Sequence, residues 1–171
     1  MLETERLIIR KFTPDDLDTL VEMRSDPEVN KYLGGTRLQN PEAIAKRLKV
    51  YISCYDKYGF GACAAVWKET GEMAGWGGLM PLEDSGEVEV GYGFAKKFWG
   101  MGLASELAAA WLQFGFETAG LDRIVAVAIP GNDASTHVMK KLGMSYEKNA
   151  MHWGEDCVFY GITKNEYLNA I

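Results

Sequence analysis

The chain has 171 residues, 18 of them basic and 24 acidic, for a formal net charge of −6, with 47% hydrophobic and 25% charged content. Those figures fit one folded domain over residues 1–171 with a sizeable core, and they exclude a disordered chain. The acidic balance argues against a general nucleic-acid binder and against adhesion to an anionic membrane.

Arg6 to Phe12 alternates apolar and polar positions and predicts a strand. Thr13 offers a capping hydroxyl and Pro14 suits a first helical position, so a helix follows to about Ser25, where Asp26-Pro27 breaks it. Asn40-Pro41 repeats the start signal. Ile44, Leu48, Tyr51, Ile52 and Tyr55 follow at helical spacing to about Lys57, and Gly59 ends that helix. Phe60 to Lys68 and Glu72 to Met80 flank Glu69-Thr70-Gly71 as a hairpin, Pro81 to Gly86 turns, and Glu87 to Phe94 is a third strand of the meander. A loop from Ala95 to Gly102 opens a long alanine-rich helix from Leu103 to about Thr118, capped by Gly120. Arg123 to Ile129 reads as a central strand, Ala134 to Leu142 as a short helix stopped by Gly143, and Met144 to Asn149 and Asp156 to Thr163 as two last strands. Asn165 to Ile171 suits a final helical turn. An antiparallel meander followed by a β-α-β crossover implies one mixed sheet with helices on its faces, an α+β (mixed α/β) class.

Cys54, Cys63 and Cys157 lie far apart, so neither a disulfide framework nor a zinc knuckle is expected, and free thiols suit a reducing cytoplasm. The N-terminus has no apolar signal core and no stretch is long enough to span a bilayer, so the expected location is the cytoplasm.

Chemistry concentrates between Glu87 and Glu106. Gly100 and Gly102 lack Cβ atoms, so backbone N–H groups there can approach an anion, and the helix start adds unpaired N–H groups and its positive dipole end. With Lys96 and Lys97 alongside, the segment predicts a phosphate site. It is not a Walker loop, because Leu103 follows Gly102 where Lys is needed. Nor is it a dinucleotide fingerprint: Ser105 stands at the third glycine and Ala95 to Trp99 separate the strand from Gly100. A nucleotide-binding oxidoreductase is therefore disfavoured.

Lys97-Phe98-Trp99-Gly100-Met101-Gly102-Leu103-Ala104 resembles the acetyl-CoA pyrophosphate motif of the GNAT N-acetyltransferases, with Lys97 in place of the usual Arg or Gln. Trp99 to Glu106 is similar to the RimJ/RimL-type branch. So are Thr4-Glu5-Arg6-Leu7, Ser25-Asp26-Pro27-Glu28-Val29, Glu89-Val90-Gly91-Tyr92, Pro130 to Ser135 and Lys141 to Met144. The resemblance implies a twisted, mostly antiparallel sheet of about six to seven strands with helices on both faces. Its fourth and fifth strands, ending at Phe94 and beginning at Arg123, would splay apart. The pantetheine arm of acetyl-CoA would then lie along Val90, Tyr92, Gly93 and Phe94, where Gly91 and Gly93 allow a chain-like ligand to come close. The pyrophosphate would lie on Lys97, Gly100, Met101, Gly102, Leu103 and Ala104, and Asn132 would hold the arm or its water.

The implied reaction is direct acetyl transfer to a primary amine: a protein N-terminus, a polyamine or a small amine. The usual acid of the superfamily, seven residues after the Asn, is Met139 here, so Ser135 is the substitute the branch suggests; helix capping explains Ser135 equally well. Glu89 is the first candidate base, with Glu87 or a water-relayed group as alternatives, and a solvated strand carboxylate as the bland reading. Val127 stands at the position of a base used elsewhere and cannot serve. Tyr32 and Trp76 are candidate acceptor contacts, and the Glu83-Asp84 pair suits a cationic amine or a solvated turn. His137 and His152 carry no metal-ligand spacing, so no metal is expected. A catalytically silent acyl-CoA-binding module would share the cofactor residues without turnover. Strand edges of such folds often pair, which leaves a homodimer open.

Overall fold

The computed structural model describes residues 2–33, 40–83 and 85–170. Asp84 of the acidic pair lies outside them. The strands are β1 (Leu2–Glu3), β2 (Leu7–Lys11), β3 (Ala62–Trp67), β4 (Met73–Pro81), β5 (Val88–Phe94), β6 (Arg123–Ala128), β7 (Ser145–His152) and β8 (Glu155–Thr163). The helices are α1 (Leu17–Ser25), α2 (Pro27–Asn30), α3 (Pro41–Tyr58), α4 (Leu103–Gln113), α5 (Asp133–Lys141) and α6 (Lys164–Ala170). The strands form one sheet in the order β1-β2-β3-β4-β5-β6-β8-β7, antiparallel except between β5 and β6. That is a mixed α/β GNAT fold with eight strands rather than six or seven. The extra strand, β1, is a two-residue ribbon that pairs with Ile8 and Ile9, too short to show an alternation of its own.

Strand alternation sorts the core into two layers. Leu7 and Ile9 of β2 and Val90 and Phe94 of β5 pack with Leu103, Leu107 and Trp111 of α4 and Val138 and Met139 of α5. On the opposite face Ala62 and Ala64 of β3 and Trp76 of β4 meet Leu20 and Met23 of α1, Val29 of α2, and Ile44, Leu48 and Tyr51 of α3. The helices thus cover both faces.

Three further departures have local causes. Asp26-Pro27 ends α1 but also starts α2, because the Asp26 carboxylate accepts from the Glu28 N–H at 2.9 Å and Pro27 takes the first helical position. The helix from Leu103 leaves α geometry at Phe114, where residues 114–118 form a wider π turn and Gly115 lies against Ile124 and Leu79. The last two strands reach His152 and begin again at Glu155, so the segment read as a loop is a tight reversal with Trp153 at a positive φ of 52°.

Candidate active site

β5 and β6 touch through one register pair, Glu89 and Val125. Beyond it they diverge, so from Val90 to Phe94 the edge of β5 that faces β6 has no strand partner. The splay opens a cavity of about 680 Å³. Its walls bring together seven of the expected residues: Tyr32, Trp76, Glu89, Val90, Tyr92, Asn132 and Ser135.

Gly93, Phe94, Lys97 and the turn Gly100 to Ala104 lie outside those walls. The turn sits at the start of α4, with Gly100 and Gly102 at positive φ of 75° and 77°, which a side chain would strain. Gly102 caps α4 without a side chain, so the first-turn N–H groups are left for an anion. Both nearby lysines are engaged elsewhere: Lys97 Nζ lies 2.6 Å from Glu72 and Lys96 pairs with Glu28.

Sequence reading missed what holds this turn. Arg6 donates from Nη1 to the Met101 carbonyl at 2.8 Å and from Nε to Glu106 at 2.7 Å, while the Arg6 N–H reaches the same carboxylate at 2.8 Å. Thr4 Oγ1 also donates to Glu106. Burial works against the Glu106 carboxylate, but these hydrogen bonds outweigh it and hold its pKa below the usual range. The segment 4–7 and Glu106, distant in sequence, are one clamp.

Gly93 is held to glycine by Trp76, and Gly91 lies close to Met80. A Cβ on Gly93 would stand 2.9 Å from Trp76 Nε1 and 3.0 Å from Leu33, and one on Gly91 would stand 3.2 Å from Met80. The indole lies across the strand face where an approaching ligand chain was expected. Its Nε1 is buried without a hydrogen-bond partner among the described residues.

Glu89 is half-buried on the cavity floor, and burial lifts its pKa to about 7; Arg47 opposes the rise and Glu83 adds to it. Glu87 lies outside β5, 3.3 Å from Arg123, and does not line the cavity. Ser135 is not the cap of α5: Asn132 is, through Oδ1 and the Ser135 N–H at 3.2 Å. The Ser135 hydroxyl instead faces the Tyr92 hydroxyl at 3.2 Å. Burial pushes the Tyr92 phenol up to about 12, with the Ser135 contact opposing. Met139, at the position of the usual acid, is buried in the core, and Val127 is part of the cavity wall. Tyr32 donates to the Gly131 carbonyl at 3.0 Å and so reaches across to the turn before α5.

One further cavity group, Arg47, escaped the sequence, as did the partner of Glu83. Arg47 projects from α3 on the face that also carries Val50, Tyr51 and Cys54. Glu83 lines the mouth and accepts from the Trp153 N–H at 3.3 Å. His152, read as a loop residue, is buried with Nδ1 2.8 Å from Glu83. His137 is exposed on α5. Among the described residues no group of three or more His, Cys, Asp or Glu could hold a metal, and no helix is long and apolar enough to cross a membrane.

A central parallel pair that splays beside a glycine-opened helix defines an acyl-CoA-dependent acetyltransferase architecture. Residues 6–145 match the Acetyltransferase (GNAT) domain family. The chain is 31% identical over 166 residues to YkkB of Bacillus subtilis, covering 93% of each chain. It is 25% identical over 176 residues to YdaF of the same organism, provisionally named a ribosomal N-acetyltransferase, covering 95% of this chain and 94% of that one. The crystal structure of a GNAT-family acetyltransferase from Bacillus anthracis superposes with a TM-score of 0.81 at 28% identity, covering 96% of this chain and 98% of that one. The chain belongs to the GNAT acetyltransferase family, whose members use acetyl-CoA.

Proposed function

We propose that the protein moves an acetyl group from acetyl-CoA directly to a primary amine, as an enzyme of the RimJ/RimL-type branch. The observation that carries this reading is the position of Glu89: a carboxyl group with a pKa of about 7, on the cavity floor where β5 and β6 part. The residues present suit acetyl-CoA. The edge from Val90 to Gly93 that lacks a strand partner offers backbone groups to an amide-bearing chain, the turn from Gly100 to Ala104 offers N–H groups to phosphates, and Asn132 lines the cavity beside that edge. Lys97 contributes through its backbone while its ammonium stays on Glu72.

An ammonium that becomes an acetamide sheds two protons. Glu89 takes the first, frees the nitrogen lone pair and passes that proton to solvent. As the C–N bond forms and the thioester C–S bond breaks, the second proton leaves nitrogen for the carboxylate and solvent, and the Ser135 hydroxyl gives one to sulfur. Tyr92, 3.2 Å from that hydroxyl, returns a proton to it and recovers its own from solvent. The net products are the acetamide, the free thiol and one solvent proton. Free β5 N–H groups are placed for the oxyanion.

Calorimetric titration with acetyl-CoA, repeated on Gly102→Glu, tests the reading, followed by thiol release with an amine panel. Saturable binding that Gly102→Glu weakens, with thiol release only when amine is present, is expected. Binding without turnover on any amine would mark a silent acyl-CoA-binding module, and absence of binding would overturn the assignment.

A further inference from the structure

The charged groups on the cavity wall are not equally occupied. Arg24 is buried, donates to the Leu33 carbonyl at 3.0 Å and lies over the Trp76 ring at 5.7 Å. Glu83 is taken by His152 and the Trp153 N–H. Glu155 is not free. That leaves Arg47 and Glu89. Neither forms an ion pair or hydrogen bond with the described residues, and they do not pair with each other, yet each lies within electrostatic reach across the cavity. Two opposite, half-buried charges that face one space without touching cost desolvation and recover little of it, unless a ligand bridges them.

A polyamine suits this wall poorly. Its second ammonium would meet a guanidinium, while the carboxylates that would attract it are already engaged. An uncharged amine leaves Arg47 unanswered. A zwitterion answers both groups, and a guanidinium fork is the donor best matched to a carboxylate. The remaining wall, with Val50, Tyr51, Tyr58 and Trp153, is apolar or aromatic and suits an apolar body.

We infer that the acceptor is an amino-acid-like zwitterion, its ammonium at Glu89 and its carboxylate on the Arg47 guanidinium. The inference rests on the acetyl-transfer reading. It makes Arg47 a specificity-determining residue: the acetyl group passes to nitrogen at Glu89 only when the carboxylate is seated on α3.

The test uses the full chain, acetyl-CoA and a set of free amino acids of varied side chain, each paired with its C-terminal amide, together with spermidine and a short peptide. Thiol release gives kcat and KM. A free amino acid is expected to exceed its amide in kcat/KM by about tenfold or more, the worth of one charge-assisted pair. Measured on the alkaline plateau above the Glu89 limb, Arg47→Ala is expected to abolish that difference through the KM of the free amino acid, with the acetyl-CoA Kd unchanged. Arg47→Lys should keep part of the preference, and Arg47→Glu should invert it; melting scans check that each variant is folded. Spermidine or peptide turned over in preference to every zwitterion, or an amide as good as its acid, would overturn the inference. Failure of acetyl-CoA to bind, or binding with no turnover on any amine, would instead defeat the acetyltransferase reading beneath it, so the two failures separate.

Discussion

Glu89 would be fully ionised at neutral pH if it kept its ordinary value of 4.5, and would then be a weak acceptor of an ammonium proton. Burial on the cavity floor places it near 7 instead, with Arg47 and Glu83 as the charged groups that face it and pull in opposite directions. The base must be unprotonated to act, so kcat/KM is expected to rise about tenfold per pH unit below 7 and to level above it. Glu89→Gln should lose that limb and fall about 10²- to 10³-fold. Arg47→Ala should move the limb to higher pH and Glu83→Gln to lower pH, since each removes one opposing field. A pH-rate series on the four proteins checks all three statements. Ser135→Ala should lower kcat about 10²-fold without changing the acetyl-CoA Kd, if its hydroxyl protonates the leaving sulfur. Tyr92→Phe should produce a smaller fall, because it leaves the Ser135 hydroxyl present but removes its partner. Glu89 was legible as a candidate because it opens Glu-x-Gly-Tyr on a strand. Its raised pKa was not, since that depends on burial in the folded cavity and on two charges distant or off-strand in sequence, Arg47 and Glu83.

At the scale of elements, the pyrophosphate turn is held from outside its own sequence. Arg6, at the entry to β2, binds both the Met101 carbonyl and Glu106 on α4. Arg6→Ala is expected to raise the acetyl-CoA Kd about tenfold with little change in kcat, as the loss of a charge-assisted bond and of turn rigidity requires. The pair is partly exposed, so global stability should fall by about 1 kcal/mol or less. Calorimetry and denaturant unfolding separate the two effects. Helix α2 shows where local reading stopped short. Asp26-Pro27 carries the same cap-then-proline signal as Asn40-Pro41, but with four residues to follow there is no periodicity to read. Val29 instead fixes α2 by burial against α1 and α3, and α2 in turn places Tyr32 over Gly131. Asp26→Ala should cost about 1 kcal/mol in unfolding free energy. The glycines of β5 are a different case. Strand position and residue type suggested the close approach of a ligand chain, whereas at Gly93 the group that takes up the space is the Trp76 indole, a cross-strand neighbour that only register reveals.

Across the whole molecule the sheet is two parts joined at one place. β1 to β5 form one antiparallel part, β6, β8 and β7 form another, and one parallel register pair at Glu89 and Val125 links them, supported by α4 and α5 packed beneath. Element order and the antiparallel meander were legible because strands and helices here follow simple periodicities and strong caps. The depth of the split was not, because it is set by where β5 and β6 stop pairing. A ligand chain lying in that split adds what the sheet lacks, a third line of hydrogen bonds between its parts. Amide exchange should therefore slow selectively on acetyl-CoA binding, along Val90 to Phe94 and in the turn Gly100 to Ala104, while amides within the β3–β4 pair keep their rates. At a concentration 100 times its Kd the ligand should also stabilise the fold by about 2.7 kcal/mol. Slowing spread evenly over the sheet would mean that acetyl-CoA stabilises the molecule from somewhere else. Slowing confined to the turn would place its phosphates there but leave the split empty, and the acetyl group would then lie out of reach of Glu89.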